Sequence, residues 1–156
     1  MKIILASTSP NRKKIFDTLG FKYQICAPNY EEKIIFEQSP IKQIQVFAKG
    51  KADSVYNKFN HENNFCIMGF DSMVEFEGKS LGKPKDKTGA FKMIQSFVDK
   101  KQNIVSGVSL IGKWQNKKFE STFYVSTEVV FKKNISDAEI EQFLEFGDWK
   151  GRCGSY

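Results

Sequence analysis

Apolar residues fall along this chain in short blocks whose spacing switches between that of a strand and that of a helix. Ile3-Ile4-Leu5-Ala6 is a continuous apolar run of strand length. Ile15, Phe16 and Leu19 follow at helical spacing. Ser9-Pro10 just before them supplies an N-cap serine and a first-turn proline. Phe21 to Ala27 reads as a second strand. Ser39-Pro40 repeats the cap, and Ile41, Ile44, Ala48, Ala52 and Val55 share one face, which predicts a helix from Ser39 to about Tyr56. Phe65-Cys66-Ile67-Met68-Gly69-Phe70 is an unbroken apolar run, the pattern of a buried parallel strand, with Asp71 at its C-terminal end. Met73 to Leu81 alternates about Glu77-Gly78-Lys79 and predicts a hairpin. Lys87 to Val98 is a helix with Ala90, Phe91, Ile94, Phe97 and Val98 inward. Asn103 to Trp114 and Lys118 to Phe131 are strands joined at Gln115-Asn116. Ser136-Asp137-Ala138-Glu139 is a capping box opening a helix through Ile140, Phe143 and Leu144. Gly147 to Tyr156 has no periodicity. The elements predict one α/β domain over residues 1–156 with a mixed sheet.

Composition narrows the class. With 156 residues, 40% hydrophobic and 27% charged, the chain is long enough for a sizeable core, to which most of its 15 phenylalanines should belong. No apolar stretch nears the roughly 18 residues of a membrane-spanning helix, and the N-terminal run is too short for a signal peptide. Cys26, Cys66 and Cys153 are few, odd in number and far apart, as for reduced thiols in a cytoplasm. The single histidine, His61, lies in a polar loop. A histidine-rich metal site is excluded, and a Ser–His–Asp triad is not expected. The net charge of +6 favours polyanionic partners. The basic residues are dispersed and no nucleic-acid motif is present, so no stable nucleic-acid complex is expected.

Several residues carry candidate chemistry. The turn after Ala6 places Ser7, Ser9 and the cations Arg12, Lys13 and Lys14 beside a helix N-terminus, a way to build a phosphate site. It also suits an ordinary strand–turn–helix with a solvated basic face. Asp71 follows a buried run, where an acid serves a cation or a hydrogen-bond network, or caps a turn. Lys83, between Gly82 and Pro84, either meets phosphate oxygens or solvates a loop. Glu31-Glu32 either offers a carboxylate to Mg²⁺ or Mn²⁺ or remains a solvated pair. Lys51 either snorkels along its helix or reaches into a cleft.

Together these segments resemble the Maf family of nucleoside triphosphate pyrophosphatases. The matching stretches are Leu5-Ala6-Ser7-Thr8-Ser9-Pro10-Asn11-Arg12, Ala27-Pro28-Asn29-Tyr30-Glu31-Glu32, Ala48-Lys49-Gly50-Lys51-Ala52 and Gly69-Phe70-Asp71-Ser72. Gly82-Lys83-Pro84-Lys85-Asp86, Val105-Ser106-Gly107-Val108, Thr127-Glu128-Val129-Val130-Phe131 and Arg152-Cys153-Gly154-Ser155-Tyr156 continue them in the family's order. The resemblance implies a mixed twisted sheet with flanking helices, of the Maf and Ham1 (inosine triphosphatase) kind. It implies a cytoplasmic enzyme that hydrolyses the α–β phosphate bond of non-canonical or pyrimidine nucleotides, giving a monophosphate and pyrophosphate with Mg²⁺ or Mn²⁺. Asp71 is then the proton acceptor and, with Glu32, the metal-site acid. Ser7, Ser9 and Arg12 belong to the phosphate-binding turn, and Lys51 and Lys83 are cationic phosphate contacts. A homodimer is a further expectation, since the family often forms one.

Four departures stand out. Asn11 replaces the first of two arginines that usually follow the proline, a position associated with substrate choice. Bulky Phe70 precedes Asp71, and Ser72 stands where threonine or glutamine marks different substrate classes. The chain ends at Tyr156, short of the strand and helix with which the family usually closes. These departures keep open a catalytically impaired, nucleotide-binding regulatory relative linked to septum formation.

Overall fold

The computed structural model describes residues 1–33 and 38–156. The chain packs as two compact units, Met1–Asp71 with Ser106–Tyr124, and Ser72–Val105 with Val125–Tyr156.

The first unit begins with β1 (Lys2–Ala6), whose Ile4, Leu5 and Ala6 are fully buried. Helix α1 (Pro10–Thr18) follows, then β2 (Tyr23–Ile25) and helix α2 (Pro40–Tyr56). Strand β3 (Phe65–Phe76) runs parallel to β1 in a register from Lys2↔Phe65 to Ala6↔Gly69, and β2 lies parallel on the other side of β1. Ile4, Ala6, Ala52, Val55, Phe59, Phe65, Ile67 and Ile111 form this unit's core. Helix α2 lies almost on the strand backbone: a Cβ built on Gly69 would overlap the Ala48 carbonyl oxygen and lie 2.9 Å from the Ala52 nitrogen. The part of β5 (Lys101–Trp114) and β6 (Lys117–Val130) that lies within Ser106–Tyr124 also belongs here, and the two strands turn at Gln115-Asn116, both left-handed at φ 48° and 64°.

The second unit holds β4 (Lys79–Leu81), antiparallel to the end of β3 through the Glu77-Gly78 turn, again left-handed at both positions. It also holds α3 (Lys87–Phe97), α4 (Asp137–Glu145) and a 3₁₀ turn over Cys153–Ser155. Asp86 caps α3 through the Gly89 N–H, and the Ser136–Glu139 capping box forms in full. Ala90, Ile94, Ile140, Leu144 and Trp149 make one core cluster, and Val74, Phe76 and Phe97 another. The strands are hydrogen-bonded in the order β2-β1-β3-β5-β6 with β4 on β3, a mixed sheet as expected.

Four expectations need correction. The apolar run ending at Phe70 does not end its strand; β3 continues through Asp71 to Phe76. What ends near Asp71 is the parallel pairing, whose last pair is Ala6↔Gly69, because β1 gives way there to the turn into α1. Ser9 occupies the N-cap position, but its side chain makes no cap hydrogen bond. Only Phe16 of the α1 pattern is buried; Ile15 and Leu19 are exposed, since one turn of helix reaches the core. Of the phenylalanines, Phe16, Phe47, Phe59, Phe65, Phe76 and Phe97 are buried, whereas Phe21, Phe123 and Phe146 are exposed. Among the described residues no helix is long and apolar enough to cross a membrane.

Gly69→Ala should lower the unfolding free energy by about 1–3 kcal/mol, because backbone rather than a flexible side chain must move. Gly82→Ala, with nothing within 4 Å of the added carbon, should change it by less than about 0.5 kcal/mol. Urea denaturation of both variants checks the contrast.

Candidate active site

Helix α2 delivers Lys51 from the turn that packs on Gly69, two residues before Asp71 in β3. The Lys51 side chain is not snorkelling: it is 12% exposed, and its Nζ donates to Asp71 Oδ1 at 2.5 Å. The same ammonium lies 2.6 Å from Glu32 Oε1, so two carboxylates converge on one cation. Arg12 approaches from the first turn of α1, with Nη2 3.9 Å from Asp71 Oδ1.

Ser7 arranges that approach. It is 4% exposed, and its Oγ accepts from Arg12 Nη1 at 3.3 Å and from the Ser9 backbone N–H at 3.2 Å. Ser7 thus ties the turn before α1 to the Arg12 guanidinium, whereas the expected Ser9 side-chain cap does not form. The Ser9 side chain makes no cap hydrogen bond to the first turn of α1, whose N-terminus carries the positive end of the helix dipole.

Burial pushes the Asp71 carboxyl above the usual aspartate range, against the opposing pull of Lys51 and Arg12, and the nearby Glu32 adds to the rise. An aspartate at its ordinary pKa is a weak base; one raised by desolvation is a better proton acceptor.

The sequence-predicted residues divide between the units. Ser7, Ser9, Arg12, Glu32, Lys51 and Asp71 belong to the first, with Ser7, Arg12, Glu32 and Lys51 linked to Asp71 directly or through one partner. Asn11 is exposed on the first turn of α1. Lys83 and Ser72 belong to the second unit. Lys83 is exposed in the loop after β4, where the Gly82 carbonyl accepts from the Gly154 N–H. The Ser72 carbonyl accepts from the Cys153 thiol at 2.9 Å.

Two residues of the first unit were quoted in the motifs without a role. The Tyr30 ring covers Gly50 of α2, where a Cβ would overlap it, and lies tilted against Phe47 with ring centroids 6.4 Å apart. Gly50 was not singled out in the sequence; the signal that could have found it is the propensity cost of a glycine inside a helical pattern.

Two converging carboxylates suit a Mg²⁺ or Mn²⁺ ion. Such ions are commonly held by one or two protein carboxylates, with phosphate oxygens and water completing the shell. Among the described residues no group of three or more His, Cys, Asp and Glu gathers as a closed metal cage. Asp71 and Glu32 are thus the two carboxylates of this cluster that could hold a divalent ion.

The fold and the acid–cation cluster define a first class. A solved structure of the Staphylococcus aureus Ham1 protein aligns with a TM-score of 0.50 over 83% of this chain and 72% of that one, at 15% identity, a likeness of fold. The family described as Maf-like protein matches residues 2–156, and the chain belongs to that family. It is 36% identical over 155 residues to a dTTP/UTP pyrophosphatase of Bacillus pumilus, covering 99% of this chain and 78% of the relative. It is 34% identical to proteins of the same name from Clostridium botulinum strain Kyoto, with 99% and 78% covered, and Clostridium beijerinckii, with 100% and 81% covered.

Lys51→Met removes the cation that holds the Asp71 pKa down, so that pKa should rise further. Titration of the Asp71 carboxyl carbon by NMR checks the direction; an unchanged midpoint would mean that Lys51 does not govern it.

Proposed function

We propose that this protein is a nucleoside triphosphate pyrophosphatase, cleaving the α–β phosphate bond to give a monophosphate and pyrophosphate. The observation that carries this reading is the largely buried Asp71 carboxylate between Lys51 and Arg12 beside the N-terminus of α1, in a chain of the Maf family. Relatives at 34–36% identity carry the name dTTP/UTP pyrophosphatase, which favours thymidine and uridine triphosphates as substrates. That name disfavours the regulatory alternative.

In this reading Asp71 takes a proton from the attacking water. The new bond forms at the α-phosphorus, the bond to the bridging oxygen breaks, and pyrophosphate leaves with the electron pair. Negative charge grows on phosphate oxygens, and Arg12, Lys51 and the positive end of the α1 dipole would stabilise it. Ser7 holds the Arg12 guanidinium in place. Glu32 and Asp71 would hold the divalent ion, whose contribution when bound is to polarise phosphate oxygens and lower the pKa of water. Lys83 is proposed as a further phosphate contact, and Asn11 and Ser72 as residues that bear on base choice. A cytoplasmic setting suits both the nucleotide chemistry and the cysteines Cys26, Cys66 and Cys153, none of which is in a disulfide.

Asp71→Asn should reduce pyrophosphate release from dTTP and UTP by at least about 100-fold, the usual scale for losing a general base. The variant should still fold, because the amide occupies the same volume, which circular dichroism checks. The assay, run with Mg²⁺ and Mn²⁺ over a panel of nucleoside triphosphates, also ranks the bases. Full turnover by Asp71→Asn would assign the proton transfer elsewhere.

A further inference from the structure

We infer that Tyr30 is a positioning residue: seated in the notch left by Gly50, its ring pins the 28–33 loop to α2 and so holds Glu32 at Lys51. This rests on the proposed function only in taking Glu32 to be useful to turnover.

The loop over 28–33 has no helical or strand structure of its own. Glu32 is 46% exposed on its side chain, yet its Oε1 reaches a lysine that is 12% exposed. An exposed carboxylate on an irregular segment needs something to fix its backbone, since ordering it costs conformational entropy. Tyr30, two residues earlier, provides that fixture. Its ring lies flush on the helix backbone at Gly50, the residue before Lys51, and is tilted against Phe47 one turn earlier. The anchor and the ammonium that it serves thus sit on the same turn of α2. Burial pushes the Tyr30 phenol above its usual range, with the Glu32 carboxylate adding to the effect, as expected of a ring sunk beside this cluster.

Gly50 is what makes the notch. Glycine is a poor helix residue, and Ala at position 50 would favour α2 by propensity. The added carbon would occupy the space of the Tyr30 ring, so a change that suits the helix should harm the site. This inverse relation separates positioning from general stability.

Two readouts test the proposal. The first needs no catalysis: the rate of trypsin cleavage after Lys33, which is exposed and follows Glu32. Tyr30→Ala and Gly50→Ala should both speed it several-fold, whereas Tyr30→Phe, which keeps the ring, should leave it near the wild-type rate. The second is pyrophosphate release. Tyr30→Ala and Gly50→Ala should lower kcat/KM by about 10- to 100-fold, the scale of misplacing a catalytic group by about an ångström, with Tyr30→Phe close to wild type. In a Glu32→Gln background Tyr30→Ala should cost less than about 2-fold more, because the two act as one unit. Wild-type behaviour of Gly50→Ala in both assays would overturn the proposal. So would loop release without loss of turnover, or a full Tyr30→Ala penalty in the Glu32→Gln background. If the wild type released no pyrophosphate from any nucleotide, the functional reading would fail while the cleavage rates still decided the role of Tyr30.

Discussion

The first unit depends on how closely α2 can lie against the sheet. At Gly69 the strand has no side chain, and the Ala48–Ala52 turn of the helix occupies the space. At Gly107 the same thing happens one turn earlier, where a Cβ would stand 2.5 Å from the Ile44 oxygen. Two glycines on β3 and β5 thus seat one helix at two points, with Ile44, Ala48, Ala52 and Val55 fully buried along it. Lys51 is on the turn that meets Gly69, and Asp71 is two residues further along β3. The 2.5 Å contact between them follows from backbone packing. A flexible lysine at the surface would reach an acid only part of the time; one fixed at its base by helix–strand contact is preorganised.

That arrangement is electrostatically expensive. Asp71 is 13% exposed on its side chain, and burial raises its carboxyl despite a lysine and an arginine close by. A group whose folded-state pKa is raised favours folding at low pH and loses that contribution as pH rises through the folded value. Asp71 is therefore a cost to the folded state at the pH where its carboxylate is useful. The compensation lies in the apolar core around Ile4, Ala6, Phe65 and Ile67 and in the near balance of charge: Asp71 and Glu32 against Lys51 and Arg12. Ligand phosphates would upset that balance in the direction the helix terminus can absorb.

Much of this was legible in the sequence where local rules act alone. The face formed by Ile44, Ala48, Ala52 and Val55 predicted α2 to within a residue, and the capping box at Ser136 appears as predicted. Asp71 and Lys51 were readable as members of one site through the ordered motifs. What failed was whatever depended on a neighbour. The apolar run stops at Phe70, but β3 continues because its exchange of partners, parallel with β1 and then antiparallel with β4, needs no break in the backbone. Ser9 sits at the predicted N-cap position, but its hydroxyl makes no cap bond, and the buried Ser7, not singled out as a structural residue, ties the Ser9 N–H to Arg12. Tyr30 gave no periodic signal, since its partner is the absence of a side chain at Gly50.

The central claim is that Asp71 and Lys51 work as one device in the same reaction. A double-mutant cycle on pyrophosphate release tests it most directly, with Lys51→Met and Asp71→Asn assayed singly and together. Groups that act as a unit give strongly non-additive losses. The account predicts that the double variant is no slower than the slower single one, within about 3-fold. A double variant slower by the full product of the two single losses would contradict it, because the lysine and the aspartate would then be acting independently.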